Sequence, residues 1–126
     1  MVTKIIEHPF TIDFKIGGYL SDRYEIFNRG SELIITYNDM TSNKSKNETQ
    51  WSNFWIGIDD INVWKWGKSY FDLDTRDGIQ WELLVDRIGR RRRRISGSNR
   101  FPDSMRKLLI MIEIFSNLEG KLQKYL

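Results

Sequence analysis

The stretch DGIQWELLVDRIGRRRRRISGSN, residues 77–99, holds both the clearest strand signal of the chain and its one extreme charge feature. From Ile79 to Val85 the residues alternate, with Trp81, Leu83 and Val85 on one face and Gln80, Glu82 and Leu84 on the other, the period of a half-buried strand. Gly89 then supplies a turn residue able to take a positive φ, and the arginines Arg90 to Arg94 follow. A three-residue loop of Arg87, Ile88 and Gly89 predicts a hairpin that pairs Asp86 with Arg90, Glu82 with Arg94 and Trp81 with Ile95. In that register Arg90, Arg92 and Arg94 face solvent, while Arg91 and Arg93 point toward the core side and must snorkel or cap a polar group there.

Moving toward the N-terminus, residues 67–78 (GKSYFDLDTRDG) are acidic and close on an Asp-Gly turn signal. Before them, Trp51, Phe54, Trp55, Ile58 and Ile61 recur at helical spacing, with Thr49 as a candidate N-cap, and Val63 to Trp66 reads as a short strand or an extended connection. Residues 38–48 (NDMTSNKSKNE) are polar and aperiodic, which predicts a mobile loop. Farther back, Phe10 to Ile16, Arg23 to Phe27 and Glu32 to Tyr37 read as an antiparallel meander. On the other side of the hairpin, Asp103 to about Leu118 is the strongest helix signal, with one broad apolar face. Ile110 and Ile114 fall outside that face, a turn apart, and are candidate interface residues. Gly120 marks the expected helix end, with 120–126 a frayed tail.

These elements predict a single α+β domain over residues 1–126, in two layers: an antiparallel sheet of about five to six strands with both helices packed on one face. The chain has no cysteine and one histidine, His8, which excludes disulfides, thiolate chemistry and cysteine-ligated metal centres. No cofactor and no bound metal are expected. The N-terminus lacks a signal-peptide pattern and no apolar run is long enough for a membrane span, so a cytoplasmic protein with no membrane partner is the expectation.

The net charge is only +3, so basicity belongs to one patch and not to the whole chain. Arg90, Arg91, Arg92, Arg93, Arg94 and Arg100 are the candidate binding residues, for an acidic protein partner or for nucleic acid. Trp64, Trp66 and Tyr70 are candidate stacking residues if exposed. Asp72, Asp74 and Asp77 admit a metal-dependent enzyme as a third reading, but no ordered set of acid, base and nucleophile accompanies them. The expectation is a non-catalytic binding or regulatory protein working through protein contacts, such as an inhibitor or accessory factor of a bacterial or mobile-element system, with a homodimer and a nucleic-acid-binding module as the alternatives.

The pattern DG, a spacer, QW, then GSN and a proline, here DGIQW at 77–81 and GSNRFP at 97–102, resembles a group of small uncharacterised bacterial proteins. The Trp-rich FWIGIDDINVWKW at 54–66 is similar to the same group, and the likeness spans about residues 51–115. It implies no particular activity. The chain departs from the group at its arginine run, where the others carry fewer basic residues.

Overall fold

The computed structural model describes residues 10–18, 22–72 and 78–126. Among the described residues seven strands, β1 (Phe10–Gly18), β2 (Arg23–Arg29), β3 (Glu32–Tyr37), β4 (Met40–Ser45), β5 (Ser69–Phe71), β6 (Ile79–Arg87) and β7 (Arg93–Ser98), form one open sheet in the order β4-β3-β2-β1-β6-β7-β5. Two helices, α1 (Glu48–Ile61) and α2 (Met105–Ser116), bury Trp51, Phe54, Trp55, Ile58, Leu108, Leu109 and Ile112 against the sheet face formed by Ile12, Phe14, Ile16, Trp81, Leu83 and Val85. The α+β class and the strand faces thus follow from the alternation in β1 and β6 and the helical stripes.

Several sequence expectations are corrected, among them Thr49 as the N-cap of α1, a place taken by Asn47, and Val63 to Trp66 as a strand or extended connection, which is a 3-10 turn over Val63–Lys65. The sheet has more than five or six strands and is mixed: β5 runs parallel to β7, while every other pairing is antiparallel. The supposed mobile loop contains β4, which pairs with β3 from Tyr37↔Met40 to Glu32↔Ser45. β4 is an almost wholly exposed edge strand, so it carries no apolar alternation from which to read it. Nor is the C-terminal tail frayed. Asn117 caps α2 in the left-handed region, and the chain turns back to bury Leu122 and Tyr125.

That return is held by Glu113, which is 2% exposed and accepts hydrogen bonds from the Leu122 and Gln123 backbone N–H groups and the Gln123 amide. Burial pushes its carboxyl upward, but the donated bonds outweigh this and hold it below the usual range. Tyr125 also donates to the Asp22 carbonyl at 3.2 Å, and Lys124 pairs with the Asp22 carboxylate.

A further correction concerns the hairpin register. Arg90 N–H does close a turn on the Arg87 carbonyl, with Gly89 at φ 83°, but the ladder resumes only at Val85↔Arg93, giving Leu83↔Ile95 and Trp81↔Gly97. The shift is two residues, which preserves the facing of the side chains within the ladder. The indole of Trp81 explains the choice. It lies across Gly97, where an added Cβ would stand 2.2 Å from Nε1, and its N–H donates to the Arg100 carbonyl at 2.9 Å. Ile95 opposite Trp81 would occupy that space.

The two halves of the DG-QW and GSN pattern therefore meet across the sheet. Gln80 Nε2 donates to Ser98 Oγ, and Asn99, at φ 59°, exchanges bonds with Ile79 through both its side chain and its backbone. Gly97 and Ser98 are the end of β7.

Candidate functional site

The arginine run separates into members with different duties. Arg87 and, across the turn, Arg90 reach back to α1, where Asp59 holds Arg87 at 3.0 Å and Arg90 at 3.7 Å. The same carboxylate accepts the Trp64 indole N–H at 2.7 Å. Trp64 is therefore enclosed, with Trp55 stacked near one side and the Arg90 guanidinium 5.5 Å from its ring centre. Arg90 thus stays exposed, as expected, and at the same time ties the hairpin to α1.

Arg92 and Arg94 do face solvent, paired with Asp86 at 3.4 Å and Glu82 at 3.2 Å. Arg93 points inward and is the one that caps. Its Nη1 donates to the Trp64 carbonyl at 2.7 Å and its Nη2 to the Trp66 carbonyl, fixing the short 3-10 turn Val63–Lys65 and the residue after it. Those carbonyls lie at the end of the 3-10 turn, so a guanidinium fork is well suited to satisfy both. Arg91 does not snorkel inward; it is exposed and has no ion-pair partner among the described residues.

The clamp positions Trp66, a half-buried residue shared by two clefts. One is lined by Gly67, Lys68 and Arg91 to Arg94, a cationic cleft with no carboxylate in its lining among the described residues. The other is lined by Lys65, Tyr70, Arg100, Phe101, Pro102, Asp103 and Ser104. The aromatic side is firmly backed: Tyr70 and Phe101 pack beside Trp81, with ring centres at 5.9 and 6.2 Å, and the Gly67 N–H donates to the Tyr70 hydroxyl at 2.8 Å. Lys65, Lys68 and Arg100 are exposed and, like Arg91, lack ion-pair partners among the described residues. An anion with a planar group beside it is what such a surface can hold.

Neither a protein-family model nor a curated protein matches this chain.

Of the residues singled out in the sequence, Arg91 to Arg94, Arg100, Trp66 and Tyr70 come together, whereas Trp64 and Arg90 are engaged with α1. Lys65, Lys68, Phe101 and Pro102 complete the clefts and had only their nearness to these residues to mark them. Ile110 and Ile114 lie on the solvent side of α2, and Ile114 lines a separate shallow groove with Phe54, Met111 and Phe115. Asp74 and Asp77 of the acidic reading lie outside the described residues; Asp72 donates its backbone N–H to the Ser98 carbonyl. Among the described residues no cluster of histidine or acidic side chains is placed to hold a metal ion, and no helix is long and apolar enough to cross a membrane.

A second charged group was missed. On the sheet face away from the helices, the Lys15 ammonium sits 3.8 to 4.0 Å from Asp13, Glu25 and Glu82. The alternation in β1 puts Asp13 and Lys15 on one face, but only the cross-strand register brings Glu25 and Glu82 opposite Lys15. Asp13 itself lies opposite Phe27 and Leu84. Burial, then repulsion from Glu25 and a hydrogen bond shared with it, raises the Asp13 carboxyl to about 6, against the pull of Lys15.

A carboxyl raised by folding favours the folded state below its unfolded value, and that contribution disappears as pH climbs through about 6. Asp13→Asn is therefore expected to raise stability by about 1 kcal/mol above neutral pH, after allowance for partial solvent screening, with the gain vanishing near about pH 4. Thermal melts of both proteins across that range check it; a variant less stable at neutral pH would contradict it.

Proposed function

We propose that this protein is a non-catalytic binding protein that recognises an acidic protein partner through the surface around Trp66. The observation that carries the reading is the pair of clefts sharing that indole, one cationic and one aromatic, with Lys68 and Arg91 left unneutralised among the described residues. Arginine, tryptophan and tyrosine backed by rigid packing make up the usual anchor chemistry of protein interfaces. Nucleic acid is the less favoured ligand. Arg92, Arg94 and Arg90 already lie beside Asp86, Glu82 and Asp59, which interrupt any continuous track of cations and reduce the counterion release that drives phosphate binding. The role as a small regulator or inhibitor fits a domain whose working surface is preorganised.

Affinity capture from extracts of the source cells tests this when wild type and a Lys68→Glu, Arg91→Glu double variant are compared. The wild type is expected to retain one acidic protein in stoichiometric amount, and the double variant is expected to lose it while keeping its melting temperature. Retention of nucleic acid alone, or of the same partner by both proteins, would contradict the reading.

A further inference from the structure

We propose that the segment recognised at this surface is an extended acidic strand that also carries an aromatic side chain, a carboxylate entering the cleft of Lys68 and Arg91 and the ring entering the cleft of Tyr70, Phe101 and Pro102. This rests on the acidic-partner role proposed above and adds the chemistry of the recognised sequence.

The two clefts differ in what they reward. The Arg91 to Arg94 cleft offers guanidinium groups without a carboxylate in its lining among the described residues. The Tyr70 and Phe101 side offers ring surface supported from behind by Trp81, which is 3% exposed, so the walls cannot collapse when the cleft is empty. Among the described residues its rim carries Lys65 and Arg100 against the carboxylate of Asp103, so an acidic chain passing over it meets a net positive edge there. A purely acidic ligand leaves the aromatic cleft wet, and a purely aromatic one leaves the cations unpaired.

Titration of the intact protein with poly-L-glutamate, a random glutamate and tyrosine copolymer, and oligothymidylate at matched charge tests the assignment. The copolymer is expected to bind about tenfold tighter per chain than poly-L-glutamate. Tyr70→Ala, and the milder Phe101→Leu, are expected to remove that advantage while leaving poly-L-glutamate binding in place; the Lys68→Glu, Arg91→Glu protein is expected to lose both. Equal affinity for the two polymers would overturn the aromatic requirement and leave the acidic-partner role standing. Failure to bind either polymer would overturn both, and tighter binding of oligothymidylate than of the copolymer would overturn both in favour of nucleic acid.

Discussion

Replacement of Gly97 by alanine is expected to cost about 3 kcal/mol and to lower the melting temperature by about 10 °C. The added methyl would sit 2.2 Å from Trp81 Nε1, 2.6 Å from its Cε2 and 2.8 Å from the Arg100 carbonyl oxygen, so neither the ring nor the backbone can be spared. Moving the indole breaks its bond to Arg100 and loosens the Tyr70 and Phe101 walls that lean on it. The loss is expected to fall on the aromatic cleft first, as a drop in near-ultraviolet circular dichroism at temperatures below unfolding. Ser98→Ala, one residue away, removes only the bond from Gln80 and is expected to cost about 0.5 kcal/mol. A Gly97→Ala protein as stable as wild type would show that the cross-strand fit of Trp81 on Gly97 does not set the register.

The second large effect separates two neighbouring arginines. Arg93→Ala leaves the Trp64 and Trp66 carbonyls without their guanidinium donors, in a place where Val63 is wholly buried beside them. Loss of charge-assisted bonds to half-buried acceptors is expected to cost about 2 to 3 kcal/mol in stability, and Arg93→Lys, with no planar fork, is expected to restore only part of it. Arg91→Ala is expected to change stability by less than about 0.5 kcal/mol, since its side chain is exposed and lacks an ion-pair partner among the described residues. Binding of an acidic ligand is expected to fall in both variants, in Arg91→Ala from loss of a contact and in Arg93→Ala from loss of the position of Trp66. Denaturant melts beside binding titrations distinguish the two, and a stability loss in Arg91→Ala equal to that in Arg93→Ala would contradict the division of labour.

How far the sequence could reach is visible in the same residues. Period-two alternation in β1 and β6, and helical spacing in α1 and α2, located the core faces, because burial against one layer imposes those periods. The inward side of Arg93 was legible for the same reason: facing depends only on parity, which a two-residue register shift leaves intact. The shift itself was hidden, since it follows from where the Trp81 ring lies and not from turn preference. β4 was hidden because an exposed polar edge strand has no buried face to impose a pattern. β5 was hidden because three residues paired in parallel to a distant strand leave no local trace.

For the site, the arginine run gave the location but not the roles. Asp59, which holds Arg87 and Arg90, is far from both in the chain and is one of several acidic residues in α1 that looked alike. The group around Lys15 required the register of three strands before its members could be seen together.

The central claim is that the surface on both sides of Trp66 is where this protein meets an acidic partner. The most direct test is an NMR titration of isotope-labelled protein with poly-L-glutamate, following backbone amides and tryptophan indole N–H signals. Shifts concentrated at the Trp66 indole, Gly67, Lys68 and Arg91 to Arg94 are the expected result. Shifts confined to the outward side of α2 around Ile110 and Ile114, or to the Lys15 face, would contradict it.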